Sequence, residues 1–214
     1  MEMNKHKITI VGCGPGALDY LTPAARTAIE RADVLIGAPR LLDAFATPHA
    51  GGIAMKADIE DVLAQIAAHA GHKRIAVLVT GDPGLCSLAK PVINRFGRAA
   101  CEIIPGVSSV QVAFARVGLD WLDAHIVSAH DKTPALSFAA LAAEKKIAVL
   151  AGNDATQPWI ASLAASLAAS HQGFVCENLT LPDERIGKVT ASELKSMKLP
   201  SRSILLLIHK EALS

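Results

Sequence analysis

The sequence lacks a dominant sign of charge and lacks long apolar runs. Lys and Arg number 21 against 20 Asp and Glu, so the formal net charge is +1. That balance disfavours non-specific binding to nucleic acid or to an anionic membrane. The longest apolar runs, such as residues 204–208, have the length of a strand and fall far short of the ~20 residues that span a membrane. We therefore expect no nucleic-acid partner and no membrane association.

Cysteine is scarce as well. Four cysteines are present and no two of them form a C-x-x-C pair, which disfavours a metal knuckle or a disulfide scaffold. The eight histidines show neither H-x-x-x-H nor H-E-x-x-H spacing, so we expect no metal site. The amino-terminal residues run directly into a β-branched segment without the apolar stretch of a secretion signal, which favours a cytoplasmic location.

Apolar residues are plentiful and regularly arranged, at 51% of the chain, although only 4% of the residues are aromatic. In residues 1–120, β-branched runs such as 7–12 and 74–80 alternate with helical patterns. One helix is predicted to start at Thr22-Pro23 and another at Asp58, because these residues are good helix caps. The alternation is typical of an open α/β sheet whose strands are parallel.

The rhythm of the pattern changes after residue 120. Strand patterns at 173–176 and 184–189, joined by the short segment 178–183, predict an antiparallel hairpin and hence a mixed sheet. The predicted fold class is therefore α/β, with two domains. The first (1–120) surrounds a mostly parallel sheet, and the second (121–214) surrounds a mixed sheet.

Three glycine-bearing loops follow three predicted strands of the first domain. They are Gly12-Cys-Gly-Pro-Gly16, Thr80-Gly-Asp-Pro-Gly84 and Ile104-Pro-Gly-Val-Ser-Ser109. Ligands of open α/β sheets bind outside the carboxyl ends of the strands, and glycine lets a backbone approach a ligand closely. Each loop alone could be a simple turn or a helix cap. Three such loops in one domain indicate a binding site.

The first loop nominally fits the dinucleotide signature G-x-G-x-x-G/A, so a Rossmann-type NAD(P)-dependent oxidoreductase is an alternative. Two features disfavour it. Pro15 removes a backbone donor where a pyrophosphate would accept a hydrogen bond, and the next helix starts only at Thr22-Pro23. The acidic residue expected at the end of the second strand is also missing, because that strand ends at Gly37.

The order and spacing of V-G-C-G-P-G-A-L-D-Y-L-T at 11–22, T-G-D-P-G at 80–84 and P-G-V-S-S at 105–109 resemble the tetrapyrrole (corrin/porphyrin) methylases, which transfer a methyl group from S-adenosylmethionine. Within that family, I-G-A-P-R-L-L at 36–42, the stretch 105–119 and C-E-N-L-T at 176–180 are most similar to the branch that methylates carbon 5 of a precorrin in cobalamin biosynthesis. The resemblance covers nearly the whole chain.

The resemblance implies S-adenosyl-L-methionine as cofactor, an active site in the cleft between two α/β domains, and a homodimer. The residues that it assigns to the cofactor are Gly81, Asp82, Pro83, Gly84, Ser108, Ser109, Gly152, Asn153, Val189 and Thr190. The first four would lie against the methionine part, and the last four would close over the adenosine. Pro15 and Gly16 would face the tetrapyrrole. Related enzymes also methylate carbon 15 and decarboxylate the ring, and we expect a separate partner for that step.

Methyl transfer from a sulfonium is an in-line displacement, so the protein mainly has to align the cofactor with a carbon that is already nucleophilic. A proton must also move on the ring, and Asp82 or His130 could assist as acid or base. Guanidinium forks would suit the carboxylates of such a substrate, which makes Arg40 the first candidate, followed by Arg116 and Lys132. For each of these, a solvated side chain is the alternative. Methylation at another ring position and a non-catalytic tetrapyrrole-binding protein also stay open.

Overall fold

The computed structural model describes residues 6–55 and 58–213. The segment 1–5, part of the argument above against a secretion signal, lies outside these described residues. Backbone proximity divides the chain into two compact units, Met1–Ser108 and Ser109–Ser214. The sequence places this boundary at residue 120 instead. The two boundaries differ because the helix Ser109–Arg116 packs against the strand Ser203–His209 and is therefore part of the second unit. The boundary at residue 120 stays a prediction.

A parallel sheet forms the centre of the first unit. The strands found in its described residues are β1 (Ile8–Gly12), β2 (Val34–Gly37), β3 (Gly51–Ala54), β4 (Ile75–Val79) and β5 (Cys101–Ile104). Their spatial order is β3-β2-β4-β1-β5, and neighbouring strands are parallel throughout. The helices here are α1 (Pro23–Arg31), α2 (Pro39–Phe45), α3 (Ile59–His69) and α4 (Ala89–Phe96). Because the strands are parallel, the three glycine-bearing loops leave the sheet at one edge.

Helices cover both faces of this sheet, and successive side chains of a strand enter different cores. On β4, Ile75 and Val77 belong to a core that includes side chains of α3. Ala76 and Leu78 belong to a second core that includes side chains of α1. This explains why β4 is apolar at every position, as a strand buried on both faces must be.

The second unit surrounds a mixed sheet, as the sequence predicts. Its described strands are β6 (His125–Ser128), β7 (Lys146–Leu150), β8 (His171–Glu177), β9 (Arg185–Val189) and β10 (Ser203–His209), in the order β6-β7-β10-β8-β9. β6 and β7 are parallel, and the other neighbours are antiparallel, including the predicted hairpin of β8 and β9. The helices are α5 (Ser109–Arg116), α6 (Phe138–Ala142), α7 (Gln157–Leu167) and α8 (Ala191–Ser196).

The predicted α/β fold class is confirmed, and several helix starts are too. Thr22 Oγ1 accepts a hydrogen bond from the N–H of Ala25 at 3.1 Å, which caps α1. Asp58 Oδ1 accepts from the N–H of Glu60 at 2.9 Å at the start of α3. The sequence does not predict α2, β3 or α8. Among the described residues, no helix is long and apolar enough to cross a bilayer.

Candidate active site

The three glycine-bearing loops of the first unit are joined through their backbones. Gly14 and Gly81 form an antiparallel bridge, with the Gly81 N–H donating to the Gly14 carbonyl at 2.8 Å and the Gly14 N–H donating back at 3.3 Å. The Cys13 N–H donates to the Val79 carbonyl at 2.9 Å. The first loop is therefore fixed to the loop that contains G-D-P-G.

Glycine is required where these loops touch. A Cβ on Gly12 would lie 2.6 Å from the Gly106 nitrogen and 2.7 Å from the Pro83 Cδ, and a Cβ on Gly106 would lie 2.4 Å from the Gly81 carbonyl oxygen. The atoms in the way are mostly backbone atoms, which cannot move aside as the end of a side chain can. The glycines at 12 and 106 thus serve close packing of three loops, whereas the sequence alone predicts that they allow close approach to a ligand.

Asp82 ties two of the loops together. Its Oδ1 accepts a hydrogen bond from the Gly84 N–H at 2.7 Å, and its Oδ2 accepts one from the Gly106 N–H at 3.0 Å. Both carboxylate oxygens are therefore engaged within the protein. The N–H groups of Gly81 and Gly84 are occupied as well, so those two donors are not directed at a ligand.

Arg40 lies at the same edge of the first unit. It is the second residue of α2, and its Nη2 donates to the Thr80 hydroxyl, directly before Gly81. Burial raises the pKa of the neighbouring Cys13 thiol to about 12, although the Arg40 charge lowers it. Cys13 therefore stays a neutral thiol, while the exposed Arg40 places a cation beside the loop cluster. Pro15 is buried and Gly16 is half-buried in this cluster.

A second set of loops is connected in the second unit, at the carboxyl ends of β6 and β7. Asn153 Nδ2 donates to the Asp131 carbonyl at 3.0 Å, and the buried Thr156 hydroxyl donates to the Ala129 carbonyl at 2.7 Å. Gly152 has a φ of +123°, and a Cβ there would lie only 2.5 Å from the Ser201 Cα. The loop at Gly152 and Asn153 is thus packed against the segment that leads into β10.

His130 lies in this second set of loops, with its Nδ1 3.5 Å from the Ala151 carbonyl oxygen. A carbonyl can only accept, so a hydrogen bond here requires the proton on Nδ1, and the tautomer with that proton has its lone pair on Nε2. Lys132 follows two residues later with an exposed side chain. Neither residue has an ion pair among the side chains of the described part of the chain.

The loop 178–184 reaches the same edge of this sheet, a placement that sequence reasoning missed. Ser203 pairs with Glu177 and Ile204 pairs with Leu150, so the carboxyl ends of β7 and β8 are level with the start of β10. The Ser203 hydroxyl there is buried and finds no hydrogen-bond partner among the described residues. A buried hydroxyl without a partner suits a site that a polar ligand completes.

Val189 and Thr190 are placed elsewhere. Gly173 pairs with Val189 and with Leu207, and Leu207 in turn pairs with Ile147. Val189 is therefore level with the beginning of β7, whereas Gly152 lies beyond its end. Thr190 caps α8, where its hydroxyl accepts from the Glu193 N–H at 3.2 Å. The structure does not bring this pair together with Gly152 and Asn153.

Arg116, expected to bind a substrate carboxylate, is paired within the protein. Its Nε is 2.7 Å from Glu184 Oε1, and its Nη2 donates to Glu184 Oε2 at 3.4 Å. The hydrogen bond from this guanidinium holds the pKa of the Glu184 carboxyl below its usual range.

Ser108 is buried, and Ser109 is the first residue of α5. The described residues contain no cluster of His, Cys, Asp or Glu able to hold a metal ion.

Two α/β units, the first with glycine-bearing loops at the carboxyl ends of its parallel strands, are the architecture of a known family of enzymes. The sequence matches the Tetrapyrrole (Corrin/Porphyrin) Methylases over residues 7–195, and the chain belongs to that family. It is similar to the cobalt-precorrin-7 C(5)-methyltransferase of Salmonella typhimurium, with 36% identity over 84% of this chain and 88% of the relative.

Solved structures agree with this family. The precorrin-6Y methylase of Archaeoglobus fulgidus superimposes with a TM-score of 0.72 at 25% identity, over 95% of this chain and 98% of the other. The uroporphyrin-III C-methyltransferase of Thermus thermophilus, solved with S-adenosylhomocysteine, gives a TM-score of 0.76 at 20% identity, over 94% and 92%. The second likeness establishes the fold alone.

Proposed function

We propose that this chain is an S-adenosyl-L-methionine-dependent methyltransferase of cobalamin biosynthesis that methylates carbon 5 of a precorrin or cobalt-precorrin. The observation that carries the proposal is the similarity to the Salmonella typhimurium enzyme across most of both chains. Relatives that act at other ring positions are also similar to this chain, as expected within one family. Methylation at those positions is less favoured for this chain than methylation at carbon 5. The loop geometry also disfavours a Rossmann oxidoreductase, because α1 begins only at Pro23, well after the glycine-bearing loop.

The residues present fit the cofactor. In the first unit, Gly81, Asp82, Pro83 and Gly84 form a rigid turn of low charge, followed along the chain by Ser108. In the second unit, the loop at Gly152 and Asn153 packs against Ser201 in the segment that leads into β10, and the unpartnered Ser203 hydroxyl is buried at the start of that strand. When bound, the cofactor supplies an electrophilic methyl group on a sulfonium. We leave Val189 and Thr190 out of the proposed site because Val189 is level with the amino end of β7, whereas Gly152 follows the carboxyl end of that strand.

Asp82 acts by position in this proposal. Because both of its oxygens accept backbone hydrogen bonds, a proton taken up there would weaken either the bond to Gly84 within the loop or the bond to Gly106 in the neighbouring loop. His130 is the better candidate for the base that takes the proton from the tetrapyrrole, since its Nε2 lone pair is free to accept one. The chain then holds the reactants in line, and His130 moves the proton.

Substrate carboxylates would be bound by Arg40 and Lys132, which are both exposed. A guanidinium has five donors in a fixed fork, so the Arg40 group can keep its bond to Thr80 and still hold a carboxylate. Pro15 and Gly16 would contact the macrocycle. A homodimer, a separate partner for carbon 15 and a cytoplasmic location remain predictions from the sequence.

Calorimetry with S-adenosylhomocysteine and with NADH tests the proposal. We expect a micromolar Kd for S-adenosylhomocysteine, equal to about −8 kcal/mol, and no binding of NADH. Tight binding of NADH without any response to S-adenosylhomocysteine would contradict the cofactor assignment.

A further inference from the structure

The loop 178–184 is held in a strained conformation. Asn178 has a φ of +49° and Thr180 a φ of +71°, in the left-handed region that β-branched residues such as threonine strongly avoid. Such strain persists only where surrounding contacts enforce it. The contacts that enforce it here can be identified.

Two carboxylates hold the loop. Asn178 Nδ2 donates to Asp183 Oδ2 at 2.7 Å, and Glu184 Oε2 accepts from the backbone N–H of Thr180. Glu184 is in turn fixed by Arg116, at the last position of α5, through Nε at 2.7 Å. Arg116 therefore reaches the strained residue Thr180 through one carboxylate.

The loop also joins the proposed cofactor region of the second unit. The Asn178 N–H donates to the Arg202 carbonyl at 3.3 Å, in the segment that precedes β10. Gly152 packs against Ser201 in that same segment. A shift of the loop 178–184 would thus be transmitted to the backbone on which the Gly152 loop rests.

We propose that Arg116 and Glu184 form a positioning pair that holds the loop 178–184 in the conformation that cofactor binding requires; this rests on the proposed function. Arg116 then acts through Glu184 and Thr180, and it binds no substrate carboxylate. Removing either partner lowers the fraction of molecules whose loop is ready to bind, and the apparent Kd rises in inverse proportion to that fraction.

The test compares three variants, Arg116→Gln, Glu184→Gln and the double variant, with a control variant, Asp120→Asn, in the ion pair of Asp120 and Lys146. That pair is a matched control, because its atoms are also 2.7 Å apart but lie at the amino end of β7, at the opposite edge of the same sheet. We measure the Kd of S-adenosylhomocysteine, the KM of S-adenosylmethionine and of the tetrapyrrole, kcat, and the urea midpoint. Arg116→Lys and Glu184→Asp keep the test decisive if a Gln variant does not fold.

We expect the Kd of S-adenosylhomocysteine and the KM of S-adenosylmethionine to rise about tenfold in both single variants and no further in the double variant. The tetrapyrrole KM should stay constant, and Asp120→Asn should change no ligand constant. A rise of the tetrapyrrole KM in Arg116→Gln, with none in Glu184→Gln, would overturn the proposal in favour of direct substrate binding. A lower urea midpoint with unchanged ligand constants would overturn it too. If the wild type does not bind S-adenosylhomocysteine, the proposed function itself fails.

Discussion

Replacing Asp82 with Asn separates a structural role of this carboxylate from a catalytic one. The Asp82 carboxylate accepts from the Gly84 N–H at 2.7 Å and from the Gly106 N–H at 3.0 Å. An Asn side chain has one carbonyl oxygen, so one of the two N–H groups must face an NH₂ donor instead. A hydrogen bond to a charged group contributes about 1.5–3 kcal/mol, and we expect Asp82→Asn to lower the free energy of unfolding by about that amount.

The assay is thermal and urea unfolding combined with the pH profile of methyl transfer. For a chain of this size, each kcal/mol shifts Tm by about 2–4 °C, so Tm should fall by about 3–12 °C in Asp82→Asn. The pH profile of kcat should keep its shape, because Asp82 carries no proton in the reaction. Asp19→Asn is the control, since Asp19 is exposed and has no hydrogen bond or ion pair among the described residues. Unchanged stability together with the loss of one limb of the pH profile would refute this reasoning.

Three further predictions concern other positions. Gly12→Ala should lower Tm sharply, since its Cβ would lie 2.6 Å from the Gly106 nitrogen, whereas Gly187→Ala meets open space and should be tolerated; equal Tm values would count against the loop packing. Arg40→Ala should reduce kcat/KM for the tetrapyrrole roughly 10- to 150-fold and leave the Kd of S-adenosylhomocysteine unchanged, and equal losses in both would reassign Arg40 to the fold. Because the Glu184 pKa is lowered on folding, its stabilising effect is present at neutral pH and lost as the pH falls through the folded-state value. The stability difference between the wild type and Glu184→Gln, measured by urea unfolding in steps downwards from pH 7, should therefore shrink as the pH falls, and a constant difference would contradict this.

Much of the fold follows from local patterns. The continuous apolar run of β4 predicts a strand buried on both faces, and the caps Thr22 and Asp58 mark helix starts that the structure reproduces. β3 escapes prediction because Gly51 and Gly52 have no side chains to produce a pattern, and the strand forms through pairing with β2. The six-residue helix α8 is too short to show a helical period.

The candidate site was predictable as a set of loops but less so as a set of contacts. The order of the glycine motifs gives the loops of the first unit, yet it cannot distinguish glycines that face a ligand from those packed on each other, as Gly12 and Gly106 are. The pairing of Arg116 with Glu184 joins residues 68 positions apart, which no local pattern reveals. Similarly, only the strand register shows that Val189 and Gly152 are at opposite edges of one sheet.

The position of the transferred methyl group tests the central claim most directly. The wild-type protein is incubated with ¹³C-methyl S-adenosylmethionine and a pool of precorrin and cobalt-precorrin intermediates, and the product is examined by NMR. We predict one labelled methyl group on carbon 5 and one S-adenosylhomocysteine released for each product molecule. A label on another carbon, or bound S-adenosylhomocysteine with no labelled product from any intermediate, would contradict the account.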